Sequence, residues 1–258
     1  MVGIPMLILE RQEKILDCLK TNTSVSVKDL SKSLNVSRAT IRRTLDQMHD
    51  QGIIQRIHGG ATQLKHAEPE APVIQRKAEQ EKEKFAIAKA CAALIRDGET
   101  IFIGSGTTAL QVACCLSDRK NLTVISNSLP VIEALSQEKN ITLIAIGGML
   151  RTAELSFIGF LAEQALSELR PQKVIMGIRA ISLVAGLTND YFADVSTDKK
   201  IIKSSPEIIL VVDHTKFGKQ SAAFVAPLTA VHCLITDSGT SPDLIAQLKH
   251  LSINVIVA

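Results

Sequence analysis

From residue 78 onward, short aliphatic runs alternate with stretches of helical character. Continuous Val, Ile and Leu runs bounded by turns are typical of strands buried on both faces, and such strands form parallel sheets covered by helices. The pattern therefore predicts an α/β fold for residues 78–258. The predicted strands are Thr100–Ile103, Leu122–Ile125, Ile141–Ile144, Lys173–Met176, Ile208–Val212, Cys233–Ile235 and Val255–Val257.

Ligands of open parallel sheets bind beyond the carboxyl ends of the strands, so the segments that follow the strands are candidate binding residues. After the first predicted strand comes 104–108, Gly-Ser-Gly-Thr-Thr, which leads into a helix. Glycine permits close backbone approach, and the free N–H groups at a helix start attract an anion. An ordinary strand-to-helix turn has the same composition, so the segment by itself leaves both interpretations open.

Further polar residues follow the other strands. Arg151 and Lys216 are candidates for holding a phosphate, while Asn127, Asp194 and Asp213 are candidates for bonding sugar hydroxyls. Each of them alone also fits a surface turn or a structural hydrogen bond. The full set of predicted effector-binding residues is Ser105, Gly106, Thr107, Thr108, Ser126, Asn127, Ser128, Gly147, Gly148, Arg151, Asp194 and Lys216.

Positive charge is concentrated at the amino-terminal end of the chain. Residues 1–66 contain ten Lys and Arg against six Asp and Glu, whereas residues 67–258 contain nineteen against twenty. A small basic module joined to a neutral body fits a protein that binds the phosphate backbone of nucleic acid. An excess of this size is also common on ordinary protein surfaces.

Helical periodicity in the basic region predicts three helices. Ser26 and Asp29 form a capping-box pattern that opens the second helix, and Ser37 is a good N-cap for the third. Helix, tight turn and helix is the geometry that places a helix in the DNA major groove. The apolar positions that should face a core are Ile15, Leu16, Leu19, Leu30, Leu34, Ile41, Leu45 and Met48.

A strand and a Gly-Gly turn follow the third helix. Gly52 is predicted to end that helix, and 53–61 is predicted to form a small hairpin, or wing. A three-helix packing module with merely solvated arginines would have the same periodicity. The predicted DNA-binding residues are Ser37, Arg38, Thr40, Arg42 and Arg43 on the helix and Arg56, His58 and Gly59 on the wing.

The two halves of this basic region together resemble a known signature. Ser37-Arg38-Ala39-Thr40-Ile41-Arg42-Arg43, followed by 52–61 (GIIQRIHGGA), closely resembles the winged helix-turn-helix of DeoR-type bacterial transcriptional regulators. Thr44 departs from the family, which usually has Asp after the two arginines. The resemblance implies binding to double-stranded operator DNA.

The remainder of the chain resembles the DeoR-type sensor domain, so the likeness covers about residues 7–258. It is carried by 97–108, 123–128, Gly147-Gly148 with Arg151, 156–159, 186–188 and 216–218. The resemblance implies a fold related to ribose-phosphate isomerases and sugar-phosphate deaminases, and a phosphorylated sugar as effector. Gly104 stands where the family often has Asp, Ser182 ends a segment that is usually Gly-Ile-Asp, and Asp194 replaces a common Glu; all three are expected to flank the pocket.

These observations predict an α/β protein with an amino-terminal winged helix-turn-helix and a carboxy-terminal α/β sensor domain that resembles ribose-phosphate isomerase-like folds. The predicted bounds are 7–62 for the DNA-binding domain, with the helix-turn-helix at about 24–43, then 63–77 for a linker and 78–258 for the sensor. The expected function is sequence-specific transcriptional regulation, as a repressor of a carbohydrate catabolic operon whose operator affinity is controlled by a phosphorylated sugar. We expect a cytoplasmic homo-oligomer, dimer or tetramer, with no cofactor, no catalytic residue and no membrane partner.

Two other functional classes compete with this interpretation. A sugar-phosphate isomerase or deaminase with an appended DNA-binding module would need an acid or base beside the pocket, and Asp194, Asp213 and His214 are the candidates. A pure interaction protein with a vestigial pocket is the third class. Metal binding is not expected, because the five Cys and six His show no ligand spacing.

Overall fold

The computed structural model describes residues 8–22, 24–50, 54–63, 65–66 and 71–258. The chain divides into two compact units, Met1–His66 and Ala67–Ala258. Each unit has its own hydrophobic core, so each folds around its own apolar side chains. Within the described part of the chain, no helix combines the length and the apolar character that crossing a membrane requires.

The first unit is a winged helix-turn-helix, as predicted. Three of its strands form an antiparallel sheet in the order β1-β3-β2, in which β2 and β3 are the predicted wing. Gly52 and Ile53, which were assigned to the end of the third helix and the start of the wing, lie outside the described residues. The elements are α1 (Ile8–Thr21), β1 (Ser24–Ser26), α2 (Val27–Ser33), α3 (Arg38–Asp50), β2 (Ile54–Ile57), β3 (Gly60–Gln63) and β4 (Lys65–His66).

Both predicted helix caps are present in the first unit. The Ser26 hydroxyl accepts a hydrogen bond from the Asp29 amide at 3.1 Å, and the Ser37 hydroxyl accepts one from the Thr40 amide at 3.1 Å. Each bond satisfies an amide that has no partner inside its helix. The caps therefore fix the residues at which α2 and α3 begin. The start of α3 also marks the end of the turn between the two helices.

The second unit is built on a parallel sheet that contains all seven predicted strands. Its order is β17-β16-β13-β10-β5-β6-β7. Two small antiparallel groups, β8-β9 and β11-β12-β15, were not predicted. The strands are β5 (Thr100–Ile103), β6 (Leu122–Ser126), β7 (Ile141–Ala145), β8 (Met149–Arg151), β9 (Ser156–Ile158), β10 (Lys173–Met176), β11 (Ala180–Ser182), β12 (Gly186–Asn189), β13 (Ile208–Val211), β14 (Lys219–Gln220), β15 (Ala223–Ala226), β16 (Cys233–Thr236) and β17 (Asn254–Val257).

Helices cover both faces of this sheet, which makes three layers. Successive side chains of a strand point to opposite faces, so Phe102 joins one apolar cluster while Ile101 and Ile103 join the other. The cluster around Ile101 and Ile103 is completed by α5, α6 and α7, and the cluster around Phe102 by α8, α9 and α10. The helices are α4 (Val73–Arg76), α5 (Glu81–Ala92), α6 (Thr107–Cys114), α7 (Leu129–Leu135), α8 (Phe160–Glu168), α9 (Phe192–Lys203) and α10 (Pro242–His250).

The stretch predicted as a linker, 63–77, is partly folded. The chain divides after His66, and α4 packs on the second unit. The Val73 amide donates to the Ala153 carbonyl at 2.8 Å, and the Val73 side chain is buried. Residues 71–77 are therefore tied to the second unit, while the exact domain bounds stay a prediction.

The wing depends on a glycine that lies against the backbone of β1. A Cβ added at Gly60 would lie 2.1 Å from the Val25 carbonyl oxygen, far inside van der Waals contact. We expect Gly60→Ala to lower the free energy of unfolding of the first unit by about 2 kcal/mol or more, because backbone atoms have to move. Urea denaturation measures the change.

Gly147→Ala is the matched control, because a Cβ at Gly147 would meet no atom within 4 Å. Equal stability losses in the two variants would contradict the importance of the close approach at Gly60.

Candidate functional site

The third helix of the first unit presents arginines on the face opposite its core. Ile41, Leu45 and Met48 are fully buried, whereas Arg42 and Arg43 are exposed. At the start of the helix Ser37 and Arg38 are also exposed, and Thr40 is half-buried with its hydroxyl 2.9 Å from that of Ser37. This arrangement leaves the guanidinium groups available to phosphates or guanine edges.

The predicted wing residues occupy two different environments. His58 and Gly59 are exposed in the turn between β2 and β3. Arg56 instead donates to an Asp46 carboxylate oxygen at 2.9 Å and to the Gly60 carbonyl. Arg56 therefore connects the wing to α3, which holds the wing tip in a fixed position relative to the recognition helix.

Thr44, the departure from the DeoR pattern, is buried between two helices. Its hydroxyl accepts a hydrogen bond from an Arg11 guanidinium nitrogen at 2.9 Å and donates to the Thr40 carbonyl at 3.0 Å. The threonine thus joins α1 to α3 without adding a charge. Its contacts are therefore internal to the first unit.

The second unit contains a pocket at the carboxyl ends of its central strands. The sheet grows in one direction from β5 and in the other from β10, so the pocket lies at the point where the strand order reverses, as is usual in such folds. The lining residues are Arg76, Ser105, Gly106, Thr107, Thr108, Ala109, Asn127, Arg151, Glu154, Ser156, Ile158, Gly177, Ile178, Arg179, Asn189, Asp194, Asp198, Val211, Val212 and Lys216.

One wall of the pocket is the start of α6. Gly106 is the N-cap, with φ +109°, a conformation that favours glycine, and no side chain caps the helix. Thr107 and Thr108, the first helical residues, are almost completely buried and line the pocket. The uncapped first-turn amides and the two hydroxyls form a group of donors suited to an anion.

Basic side chains that are already paired with carboxylates form the opposite wall. Arg151 makes an ion pair with Asp194, and its guanidinium lies 4.4 Å from the centre of the Tyr191 ring. Arg76 pairs with Glu154 and also donates to the Ala71 carbonyl at 2.7 Å. Because Arg76 is buried, Arg151 is largely covered and both are held by carboxylates, an incoming anion would meet a preorganised site.

A third basic residue completes this wall. Arg179 pairs with Asp190 at 2.8 Å. With Lys216, the pocket is lined by four cationic side chains against three carboxylates, those of Glu154, Asp194 and Asp198. With Asp190, the partner of Arg179, the carboxylates equal the cationic groups in number, so the charges at the site are balanced.

The pocket also contains an acceptor without a partner. Asn127 is buried, and its Nδ2 donates to the Phe157 carbonyl at 3.0 Å, which fixes the orientation of the amide. Its Oδ1 has no hydrogen-bond partner among the described residues. A buried acceptor of this kind suits a ligand hydroxyl, since leaving it unpaired is unfavourable.

Asp198 is a pocket carboxylate whose proton affinity is raised by its surroundings. Burial raises its pKa to about 6, although the hydrogen bond from Asn189 at 2.9 Å and the charge of Arg151 act in the opposite direction. At neutral pH the carboxylate therefore carries its charge at some expense to the stability of the fold.

Four of the predicted effector-binding residues do not line the pocket. Ser126 donates to the Ile103 carbonyl at 2.7 Å and accepts from the Ser128 amide at 3.0 Å, so both serines brace the ends of β5 and β6. Gly147 and Gly148 precede β8, and a Cβ at Gly148 would lie 2.8 Å from the Ile158 carbonyl oxygen. Ser126, Ser128 and Gly148 thus have structural contacts, whereas a Cβ at Gly147 would meet no atom within 4 Å. The other eight predicted residues do line the pocket.

The expectation that all three departures flank the pocket holds only for Asp194. Gly104 ends β5 beside β10, where a Cβ would make an ordinary contact with Met176. Ser182 accepts hydrogen bonds from the Val184 and Ala185 amides at 3.2 and 3.1 Å, and so shapes the turn after β11. Neither residue lines the pocket.

Several pocket residues were not predicted. Arg76 lies in the predicted linker, and Glu154, Asn189 and Asp198 lie outside the segments that directly follow the predicted strands. Arg179 does follow a predicted strand, Lys173–Met176, but was not among the predicted binding residues. The one available signal was the basic and acidic alternation at 76–84, which predicts a solvated surface equally well. Their proximity comes from long-range folding, as in the pairing of Arg76 with a residue 78 positions away.

Two of the candidates for acid or base catalysis, Asp213 and His214, make hydrogen bonds outside the pocket. Asp213 accepts a hydrogen bond from the Thr215 amide at 3.0 Å and caps a short 3-10 turn. His214 lies 2.8 Å from an Asp237 carboxylate oxygen. Burial alone would raise the pKa of Asp237, but the hydrogen bonds from His214 and Gly239 outweigh it and lower that pKa.

Neither Asp213 nor His214 lines the pocket. The described residues also contain no group of three or more His, Cys, Asp or Glu side chains arranged to hold a metal ion.

Comparison with known proteins gives matches over both units. Residues 11–67 match the DeoR-like helix-turn-helix domain, and residues 79–238 match the DeoR C terminal sensor domain. The chain is 36% identical over 247 residues to the lactose phosphotransferase system repressor of Lactococcus lactis, covering 93% of this chain and 94% of that protein. It is 34% identical over 229 residues to the glycerol-3-phosphate regulon repressor of Escherichia coli, covering 89% and 90%.

Among solved structures, ribose 5-phosphate isomerase A of Methanocaldococcus jannaschii aligns with 54% of this chain and 55% of its own, at 19% identity and a TM-score of 0.41.

The pKa of Asp198 gives a pH-dependent prediction. A carboxyl whose pKa is raised by folding binds protons more tightly in the folded state, so its contribution to the free energy of unfolding falls as pH rises from about 4 to about 6. Asp198→Asn removes this contribution. We expect the variant to melt at nearly the wild-type temperature near pH 4.5 and several degrees higher at pH 7.5.

Melting curves of both proteins across this pH range measure the difference. Asp118→Asn, at an exposed position outside the pocket, is the control for the charge change. A difference between Asp198→Asn and wild type that stays constant from pH 4.5 to 7.5 would contradict the assignment.

Proposed function

The chain belongs to the DeoR family of transcriptional regulators, and we propose that it represses a carbohydrate catabolic operon whose operator affinity is controlled by a phosphorylated sugar bound in the pocket of the second unit. The observation that carries the proposal is the combination in one pocket of an uncapped helix start, fixed cationic side chains and a buried amide oxygen without a partner. These groups match a phosphate joined to a hydroxylated carbon chain.

The phosphate is assigned to the α6 side of the pocket. Ser105, Thr107 and Thr108 supply donors there, and Lys216 and Arg151 supply charge. A dianionic phosphate near Arg151 competes with Asp194 for the same guanidinium, so binding would loosen the existing ion pair. Asn127 is assigned to a hydroxyl of the sugar, which would donate a hydrogen bond to its Oδ1.

The names of the two relatives support this class of effector. One regulates a lactose phosphotransferase system and the other a glycerol-3-phosphate regulon. Both names point to phosphorylated carbohydrate derivatives, the chemistry that the pocket of this chain suits. Such relatives do not favour the isomerase or deaminase alternative.

The DNA-binding surface is assigned to the exposed side of α3 and the wing tip. Arg38, Arg42 and Arg43 are placed to contact DNA from the helix, and His58 from the wing, while Arg56 positions the wing through Asp46. Helix-turn-helix proteins read two half-sites as dimers, so we propose a homo-oligomer that acts in the cytoplasm on an operator with paired half-sites. The effector would control affinity by binding one arrangement of that assembly more tightly than another.

Arg42 tests the DNA-binding half of the proposal. We expect Arg42→Ala to weaken binding about tenfold, to a duplex that the wild-type protein selects from a random pool, because a charged contact to DNA is lost. If the contact is to a phosphate, the slope of log affinity against log salt concentration should also fall by about 1. Fluorescence anisotropy at several salt concentrations measures both quantities.

Arg96→Ala removes an exposed arginine of the second unit and is the control for the change in net charge. Unchanged affinity and salt dependence in Arg42→Ala would rule out the assigned surface.

Lys216 tests the effector half of the proposal. We expect one or more sugar phosphates to raise the melting temperature of the wild-type protein, and their unphosphorylated sugars to leave it unchanged. Lys216→Ala should weaken binding at least tenfold, since a charged hydrogen bond contributes about 1.5–3 kcal/mol. A thermal-shift panel followed by calorimetry measures this loss.

Lys139→Ala, at an exposed position outside the pocket, is the matched control. A sugar phosphate that binds both variants equally well would remove Lys216 from the site, and a panel without any hit would overturn the proposed effector class.

A further inference from the structure

The second unit exposes an unusual share of its aromatic side chains on one surface. The chain has only seven Phe and one Tyr, yet Phe160, Phe192 and Phe224 are 76%, 72% and 53% exposed. Leu161 and Tyr191, at 63% and 44%, flank them in sequence. We call these five residues the aromatic face.

Contacts between α8, α9 and β15 bring the three phenylalanines together. Phe192, Ser196 and Lys199 follow one another at i, i+4 and i+7, so they share one side of α9. The Ser196 hydroxyl donates to Glu163, which lies three residues after Phe160 on α8.

At the other end of this stripe, the Lys199 ammonium lies 5.8 Å from the centre of the Phe224 ring. The stripe on α9 therefore runs from the start of α8 to β15, and the exposed rings lie along it.

The exposed apolar area of the aromatic face is at the upper end of what a monomer usually leaves in water. An aromatic side chain carries about 150–250 Å² of surface, so the four rings of the aromatic face alone expose on the order of 500 Å². Leu161 adds to this area. The largest apolar patch of a typical monomer is about 300–600 Å², and a standard protein–protein interface removes about 800 Å² from each partner.

We propose that the aromatic face is where a second copy of this chain binds. Its area approaches the surface that one partner contributes to a stable dimer. Two charged side chains beside it, Lys199 and Glu163, have opposite signs, which suits an isologous contact in which the same surface meets itself about a two-fold axis. The inference rests on the proposed function in one respect, because paired half-sites require two copies of the first unit.

The aromatic face is continuous with the pocket. Tyr191 belongs to it and also stacks on Arg151, while Asp194, the partner of Arg151, is two residues after Phe192 on α9. An anion that draws Arg151 away from Asp194 changes the contacts at the start of α9. The same movement changes the surface that meets the second copy, so effector binding and association are linked.

Sedimentation velocity of the full-length chain tests the proposal. We expect the wild-type protein to be a dimer or larger at about 10 μM, and Phe192→Glu and Phe160→Glu to raise the dissociation constant at least 100-fold. Phe85→Glu is the matched control, because Phe85 is 45% exposed but lies on α5, outside the aromatic face, and it should associate like the wild type. Circular dichroism checks that each variant is folded. If a glutamate variant is not, Leu161→Ser is the milder substitution, and it should also raise the dissociation constant.

A wild-type protein that stays monomeric at 100 μM overturns the proposal. It is also overturned if the folded face variants associate as strongly as Phe85→Glu, since another surface or another partner would then be responsible. Sugar-phosphate binding of the same samples is measured separately by thermal shift. Loss of that signal with intact association would count against the effector and leave the aromatic face standing.

Discussion

The parallel pairing of β10 with β5 is the constraint on which the second unit depends. Val174 pairs with Phe102 across this junction, and the sheet is extended by β6 and β7 on one side and by β13, β16 and β17 on the other. Strands are added to the sheet in opposite directions from β5 and β10, so the loops after these two strands diverge and leave a cleft. The start of α6, which follows β5, and the segment 177–179, which follows β10, both line the cleft.

Buried ion pairs give this cleft its chemical character. An isolated buried charge is strongly unfavourable, so Arg151 and Arg76 are held against Asp194 and Glu154. The pairs keep the guanidinium groups oriented in the absence of a ligand. A ligand that uses the same donors has to bind them more strongly than the carboxylate does. A phosphate meets this requirement better than a neutral sugar, because it offers several charged acceptors to the same donors. Under the proposed function, selectivity for a phosphorylated sugar over its neutral form follows from these ion pairs.

Much of the architecture could be predicted from the sequence, because the determining interactions are local. Aliphatic runs such as Ile208–Val212 have no other stable position than the middle of a covered sheet, and Ser37 specifies a helix start through a bond to an amide three residues away. The pocket was predicted less completely. Residues that directly follow strands, such as Thr107, could be assigned from topology, whereas Arg76 reaches the site only because α4 packs near Ala153. The Ser128 amide donates to the Ser126 hydroxyl. Sequence spacing does not predict this hydrogen bond, so both serines were assigned to the pocket.

Among the described residues, each unit has apolar clusters of its own. Under the proposed function, an effector would act through two segments that contact the pocket, the one that follows His66 and the start of α9. Arg76 lies ten residues after His66 and anchors the connecting segment through Ala71 and Glu154, while Arg151 contacts the start of α9 through Tyr191 and Asp194. Under the proposed function, a phosphate that competes for either guanidinium therefore changes the contacts of one of these two segments.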